Sequence, residues 1–199
     1  MTTKYEQISS SLFVKNRKKF TEKMQPKSLA IFNSNDIYPV SSDSMMPFAQ
    51  HRDIFYLSGV DQEESILLIF PDAYKEEHRE ILFLRETNEH IAIWEGEKLT
   101  KEKATEVSGV KSVFWLSDFD RIFYNLMNEA ENIYLNKNEH YRAVLEVQTR
   151  EDRFIERVKK EFPLHEILRS NPILQHLRSV KEPEEIALMQ TACNITEKG

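Results

Sequence analysis

Glycine is scarce in this chain, with 4 in 199 residues. Phosphate-cradling loops spend several glycines in one place, and neither GxGxxG nor GxxxxGK occurs. The composition therefore argues against a nucleotide-binding loop. There is one cysteine, Cys193, so no internal disulfide can form and a reducing compartment fits. Cys193 falls in an apolar helical pattern, which predicts a buried or half-buried structural thiol. Long hydrophobic runs are missing too. The longest, Ile66-Leu67-Leu68-Ile69-Phe70, has the length of a strand, so no membrane span or secretory segment is expected and the cytoplasm is the default. The formal charge is -6 and the basic residues are interleaved with acids, which argues against nucleic acid as a partner. The one basic run, Lys15 to Lys19, reads as a solvated helix face.

Catalytic constellations are absent as well. The six histidines form no HExxH or Cys/His pairing, and no GxSxG occurs. The acid pairs Glu184/Glu185 and Asp118/Asp120 sit at expected helix starts, where they favour the positive end of the helix. Read from its residues alone, the chain is a scaffold or partner domain rather than a self-sufficient catalyst.

What is present is a regular alternation of elements. Helical periodicity runs from Tyr5 to Met24, stopped by Pro26. Strands are expected at Ser28–Asn33, Ile54–Leu57, Ser65–Phe70, Glu80–Arg85, His90–Trp94, Lys111–Trp115 and Asn132–Leu135. A hairpin turn is expected at Glu86–Glu89. Helices come after Thr100, Ser117, Glu151, Pro172 and Pro183, the last with proline in its first turn and acids beside it. No internal repeat is seen. The order predicts a three-layer α/β/α fold around a central sheet of about six strands, and the hairpin predicts that the sheet is mixed. Residues 1–180 form the expected domain. Residues 181–199 form a helix that leads into a further domain.

Two stretches are over-built for a plain scaffold. One is the polar loop Ser41 to Asp53, whose serines and Asp43 can bond their own backbone. The other is Trp94-Glu95-Gly96 at a strand exit. These stretches carry a family likeness. Asp43-Ser44, Pro47-Phe48, Gln50, Asp53 and Tyr56-Leu57-Ser58-Gly59 resemble the signature of the aminopeptidase P N-terminal domain, of creatinase/prolidase type. Ile91 to Leu99 is similar to the family's tryptophan-containing block. Arg178, Lys181 and Glu184-Glu185-Ile186 are similar to its linker. Ala49 and Arg52 depart from the usual Arg and Ser of the signature.

The resemblance implies that the parent is a metal-dependent Xaa-Pro aminopeptidase acting on peptides with proline at the second position. It implies an N-terminal domain that helps assemble a homo-oligomer and walls the substrate cleft. It also implies that two Mn²⁺ ions are held by two Asp, one His and two Glu of a "pita-bread" domain farther along, so no metal or catalytic residue belongs to this stretch. By the same likeness Trp94 reaches a neighbouring subunit's substrate pocket, and Asp43, Gln50, Asp53, Tyr56 and Gly59 are structural signature positions. An arginine that some members supply before the linker has no clear counterpart, with Arg153 or Arg157 as the candidates. Two alternatives share the plan: a prolidase-type dipeptidase, and a non-catalytic pseudopeptidase module that holds protein partners.

Overall fold

The computed structural model describes residues 7–88, 96–143 and 146–198. Helix α1 covers Ser10–Thr21, shorter at both ends than its periodicity suggested, with Ser9 as N-cap. Strand β1 (Ser28–Asn33) comes next and is buried along its whole length. Then come helix α2 (Arg52–Ser58), β2 (Ile66–Ile69), β3 (Glu80–Leu84), α3 (Lys101–Ser108) and β4 (Ser112–Trp115). The second half holds α4 (Phe119–Glu129), β5 (Asn132–Leu135), α5 (Arg150–Glu161), β6 (Glu166–Arg169), α6 (Asn171–Ser179) and α7 (Pro183–Lys198).

The six strands form one sheet in the order β4-β3-β2-β1-β5-β6. It is mixed, as expected, with the antiparallel part at β1–β2 (Ala30 opposite Ile69) and β2–β3 (Ile66 opposite Phe83). The pairs β1–β5, β5–β6 and β3–β4 are parallel. The proposed hairpin partner, His90–Trp94, lies outside the described residues.

Both faces of the sheet are covered, so its strands are apolar on both sides and show no polar alternation. Leu29, Ile31, Leu68, Ile81, Phe83 and Ile133 point to one face, against Ile122, Phe123 and Leu126 of α4 and Phe154 and Val158 of α5. Phe119 and Phe123 stack there at 5.2 Å and 9°. Burying a Phe side chain of this kind contributes about 1.5–3 kcal/mol. Ala30, Phe32, Leu67, Ile69 and Leu82 point to the other face, against Phe20 of α1, Ile54 and Leu57 of α2, Ala104 of α3 and Leu174 of α6.

Five readings of the sequence are corrected. Ile54–Leu57 is helical, not a strand. His51 caps the helix start by accepting from Asp53 N–H, and Gly59 closes it at φ 69°, so the caps override the β preference of Ile, Phe and Tyr. The strand β6 was not foreseen, because its short polar Glu-Ile-Leu-Arg run lies at the sheet edge. The basic run is not uniformly solvated, since Arg17 is 0 % exposed and Asn16 is buried with it. The helix predicted to start after Ser117 opens with a 3-10 turn, Leu116–Asp118, and becomes α-helical at Phe119. Cys193 is exposed, on a helix with no buried residue.

Candidate functional site

The carboxyl ends of β1, β5 and β6 lie side by side, and three helices begin there. Strand β1 ends at Asn33, Asn136 comes directly after β5, and Ser170 directly after β6. From β1 the chain passes by way of α2 to β2 on one side, while β5 pairs on its other side. In open α/β sheets such a switch of direction opens a crevice that ligands use.

Here the crevice is lined by the chain's own acids. Asp53, in the first turn of α2, is buried. Its Oδ2 accepts from Asn136 Nδ2 at 3.1 Å and its Oδ1 from Arg178 Nη1 at 2.8 Å. Ser170 Oγ donates to Asn136 Oδ1 at 2.7 Å, which fixes that amide. Glu151, in the first turn of α5, accepts from Asn33 N–H at 3.1 Å and Asn33 Nδ2 at 3.0 Å. Burial pushes the Glu151 carboxyl up to about 8, against the two Asn33 donors, and the nearby Asp53 charge adds to the rise. The places an anionic ligand would take at these helix starts are held by Asp53 and Glu151.

The signature residues divide into three groups. Gln50 is a buried hub. Its Nε2 lies within reach of Val60 O (3.1 Å), Gln62 O (2.9 Å) and Ser65 Oγ (3.2 Å), and its Oε1 accepts from His51 N–H at 2.8 Å. It closes the polar loop against the segment between α2 and β2. His51 is held neutral by burial, and the Arg178 cation adds to this while Asp53 opposes it. Its Nδ1 must stay unprotonated to accept from Asp53 N–H.

Tyr56 and Gly59 face α1. The Tyr56 carbonyl accepts from Asn16 Nδ2 at 3.0 Å, and burial, with Glu185 and Glu182 nearby, pushes the phenol up to about 12. Asp43 stands apart. It is exposed in a small hairpin closed by Val40 N–H to Ser44 O (2.7 Å) and Met46 N–H to Tyr38 O (2.8 Å). Ala49 and Arg52, the two departures, are exposed as well, and Ala49 O accepts from Asn35 Nδ2 at 2.9 Å.

Trp94 lies outside the described residues. The far end of its block is anchored, with Lys98 ion-paired to Glu63 and Leu99 N–H donating to Gln62 Oε1 at 2.7 Å. Arg153 and Arg157 both project from α5 into ion pairs, Arg153 with Asp36 and Arg157 with Asp120 at 2.8 Å and Glu161 at 3.1 Å.

An open cleft of about 1390 Å³ runs along this region. The signature loop, α2, α6 and the start of α7 line it, with His51, Asp53, Arg178 and Met189 among the walls. Among the described residues no three His, Cys, Asp or Glu side chains converge as a metal site. No described helix is long and apolar enough to cross a membrane.

Compared with known proteins, residues 13–134 match the family profile described as "Aminopeptidase P, N-terminal domain". The chain belongs to that family. The Xaa-Pro aminopeptidase of Escherichia coli (strain K12) is 27% identical over 96% of this chain and 43% of its own length. Xaa-Pro aminopeptidase 3 of Homo sapiens is 24% identical over 83% of this chain and 32% of its own. A solved structure of E. coli aminopeptidase P, zinc-substituted and in complex with product, superposes with a TM-score of 0.76 at 26% identity. It covers 96% of this chain and 43% of that one. A putative aminopeptidase P from Bacillus anthracis, at 23% identity and a TM-score of 0.80 over 90% of this chain and 42% of its own, shares the fold. The chain spans less than half the length of these relatives.

The sequence placed Gln50 and Asp53 in the signature loop but gave no role to Arg178, Asn136 or Glu151. Arg178 was visible only as part of the linker resemblance. Nothing in the spacing of 125 residues between Asp53 and Arg178 announces their contact.

Proposed function

We propose that this chain is the N-terminal, non-metal-binding domain of a Xaa-Pro aminopeptidase, which removes the first residue from peptides with proline at the second position. The observation that carries the reading is the family match across 13–134, in a chain whose relatives named for that activity are more than twice as long. On this reading residues 1–180 are the domain, and 181–199 lead into a catalytic domain that holds two Mn²⁺ ions. No metal step is assigned to the residues of this chain.

Its role is structural: it walls the substrate cleft and supports a homo-oligomer in the cytoplasm. Two features support a contact role. Tyr38, Val40, Met45 and Met46 of the signature loop are exposed, as are Ile186, Leu188 and Met189 of α7, and such clustered apolar side chains mark contact surfaces. Asp53 also joins the signature loop to the helix before the linker through Arg178.

The test is the natural protein purified from its source cells. An intact mass about twice that of 199 residues, as a second domain of typical size gives, with cleavage of Xaa-Pro-Xaa tripeptides, supports the proposal. Cleavage of Xaa-Pro dipeptides alone would make it a prolidase-type dipeptidase. No cleavage of either, with a protein partner retained, would make it a pseudopeptidase module.

A further inference from the structure

The start of the last helix is tied to α1 by charge. No residue of α7 is buried. Glu182, the residue before it, has a side chain only 11% exposed, and each of its carboxylate oxygens is taken by a different lysine of α1. Lys15 pairs with Oε2 and Lys19 with Oε1. The two lysines are four residues apart, so they stand one above the other on the same helix face and form a fork.

Glu182 also starts α7. Its carbonyl accepts from Ile186 N–H at 3.0 Å, and its N–H donates to Glu185 Oε2 at 2.8 Å. The residue gripped by α1 is thus the one from which α7 grows. Glu184 and Glu185 extend the acidic side of the contact, and both lie close enough to favour the Lys15 charge. Four residues upstream, Arg178 is pinned by Asp53, and Lys181 Nζ donates to Arg178 O. The segment entering the junction is therefore fixed on its own account, and Glu182 fixes the segment leaving it.

We propose that Lys15, Lys19 and Glu182 form an electrostatic latch that sets the angle at which α7 leaves the domain. All three groups belong to this chain, so the latch operates without any further domain. The two lysines reach Glu182 from the solvent side, and ion pairs with such exposed partners add little to global stability, so losing the latch should free the helix without melting the domain. The lysines are 46% and 36% exposed, which leaves the latch open to screening by salt.

The test uses the single cysteine. Cys193 is exposed on α7, and a second cysteine placed by Lys159→Cys, at an exposed position of α5, gives a pair of spin-label sites. At low salt the parent pair should give one narrow distance distribution. Glu182→Gln, and separately Lys15→Gln with Lys19→Gln, should widen it roughly twofold. About 1 M salt, where screening reaches within ~3 Å, should widen the parent likewise and the variants no further. Lys18→Gln, on α1 outside the fork, should change nothing, and thermal midpoints should stay together. A distribution already broad in the parent at low salt would overturn the latch. So would a width unchanged in both the Glu182 and the double-lysine variants.

Discussion

Gly59 and Gly109 end two different helices in the same way and meet consecutive residues of a third. Each closes its helix in the left-handed conformation, at φ 69° and 71°. Each comes after a serine whose hydroxyl donates to the carbonyl four residues back, Ser58 to Ile54 and Ser108 to Ala104, both at 2.7 Å. Each serine oxygen then accepts from the N–H two residues on, at Val60 (3.2 Å) and Val110 (3.1 Å). The repeated Ser-Gly-Val lets α2 and α3 both end against α1.

The space at the two glycines differs in kind. A Cβ on Gly59 would lie 2.2 Å from the Phe13 ring, which is buried, whereas one on Gly109 would lie 2.5 Å from Val14, which is 44% exposed. Both changes carry left-handed strain of about 1–2 kcal/mol. Only at Gly59 must a packed ring move, which adds about 1–3 kcal/mol. Urea unfolding should therefore show Gly59→Ala losing clearly more stability than Gly109→Ala. Equal losses would mean that Phe13 yields as freely as Val14.

One guanidinium serves both helix ends. Arg17 Nη1 donates to Leu57 O at 2.8 Å and Ser108 O at 2.9 Å, and its Nε pairs with Glu80 at 2.9 Å. Burial lowers its affinity for a proton, but an arginine remains charged at any relevant pH. Arg17→Met strips both carbonyls and Glu80 of their donor and should cost about 3–5 kcal/mol. Arg17→Lys should recover little, because one ammonium cannot reproduce the fork geometry. Full recovery by lysine in a denaturation series would show that charge alone suffices.

Glu151 gives the fold a pH dependence of definite sign. Its carboxyl is pushed above the ordinary value of 4.5 to about 8, so the folded state favours the protonated form. That contribution is complete below 4.5 and is lost as pH rises through about 8. His51 works in the opposite sense. It is held neutral, its contribution is present above 6.5, and it fades as pH falls below that value. Between pH 7 and 9, where His51 no longer titrates, stability should fall in the wild type. It should fall less in Glu151→Gln, which has no proton to lose. Parallel unfolding curves across this window would mean that the Asn33 donors keep Glu151 ionised throughout.

These contacts mark how far the sequence could be read. The buried strands were legible because runs such as Leu29–Phe32 and Leu67–Phe70 have no other use in a chain this polar. The two-faced sheet came directly from them. Ile54-Phe55-Tyr56-Leu57 misled because its residues prefer strands, while the deciding signals were the caps at His51 and Gly59. Arg17 misled because a basic run was read as one face, whereas a helix sends residue 17 inward while residues 15 and 19 point out. The signature loop was legible by resemblance. Its ties to Asn136 and Arg178 were not, because they are made at the carboxyl end of the sheet by residues 83 and 125 positions away.

The proposed division of labour makes a prediction about metal. The 199-residue chain, expressed alone, should fold with a cooperative melting transition. It should retain no stoichiometric Mn²⁺ after dialysis, because its buried acids are already bonded to Asn33, Asn136 and Arg178. Elemental analysis decides the point. One equivalent or more of tightly held metal would show that the domain has its own metal site.

Trp94 offers the sharpest test of the link between this domain and catalysis. On the proposed reading Trp94 is an aromatic wall beside the substrate, and such a wall binds peptide surface without taking part in bond cleavage. Removing such a contact weakens ground state and transition state alike, which raises KM and leaves kcat nearly unchanged. In the longer enzyme proposed above, Trp94→Ala should therefore raise KM for peptides extending beyond proline, with kcat and metal content close to the parent's. Lost metal would place the tryptophan in support of the catalytic domain. Unaltered kinetics would remove Trp94 from the pocket and leave the domain a purely architectural role.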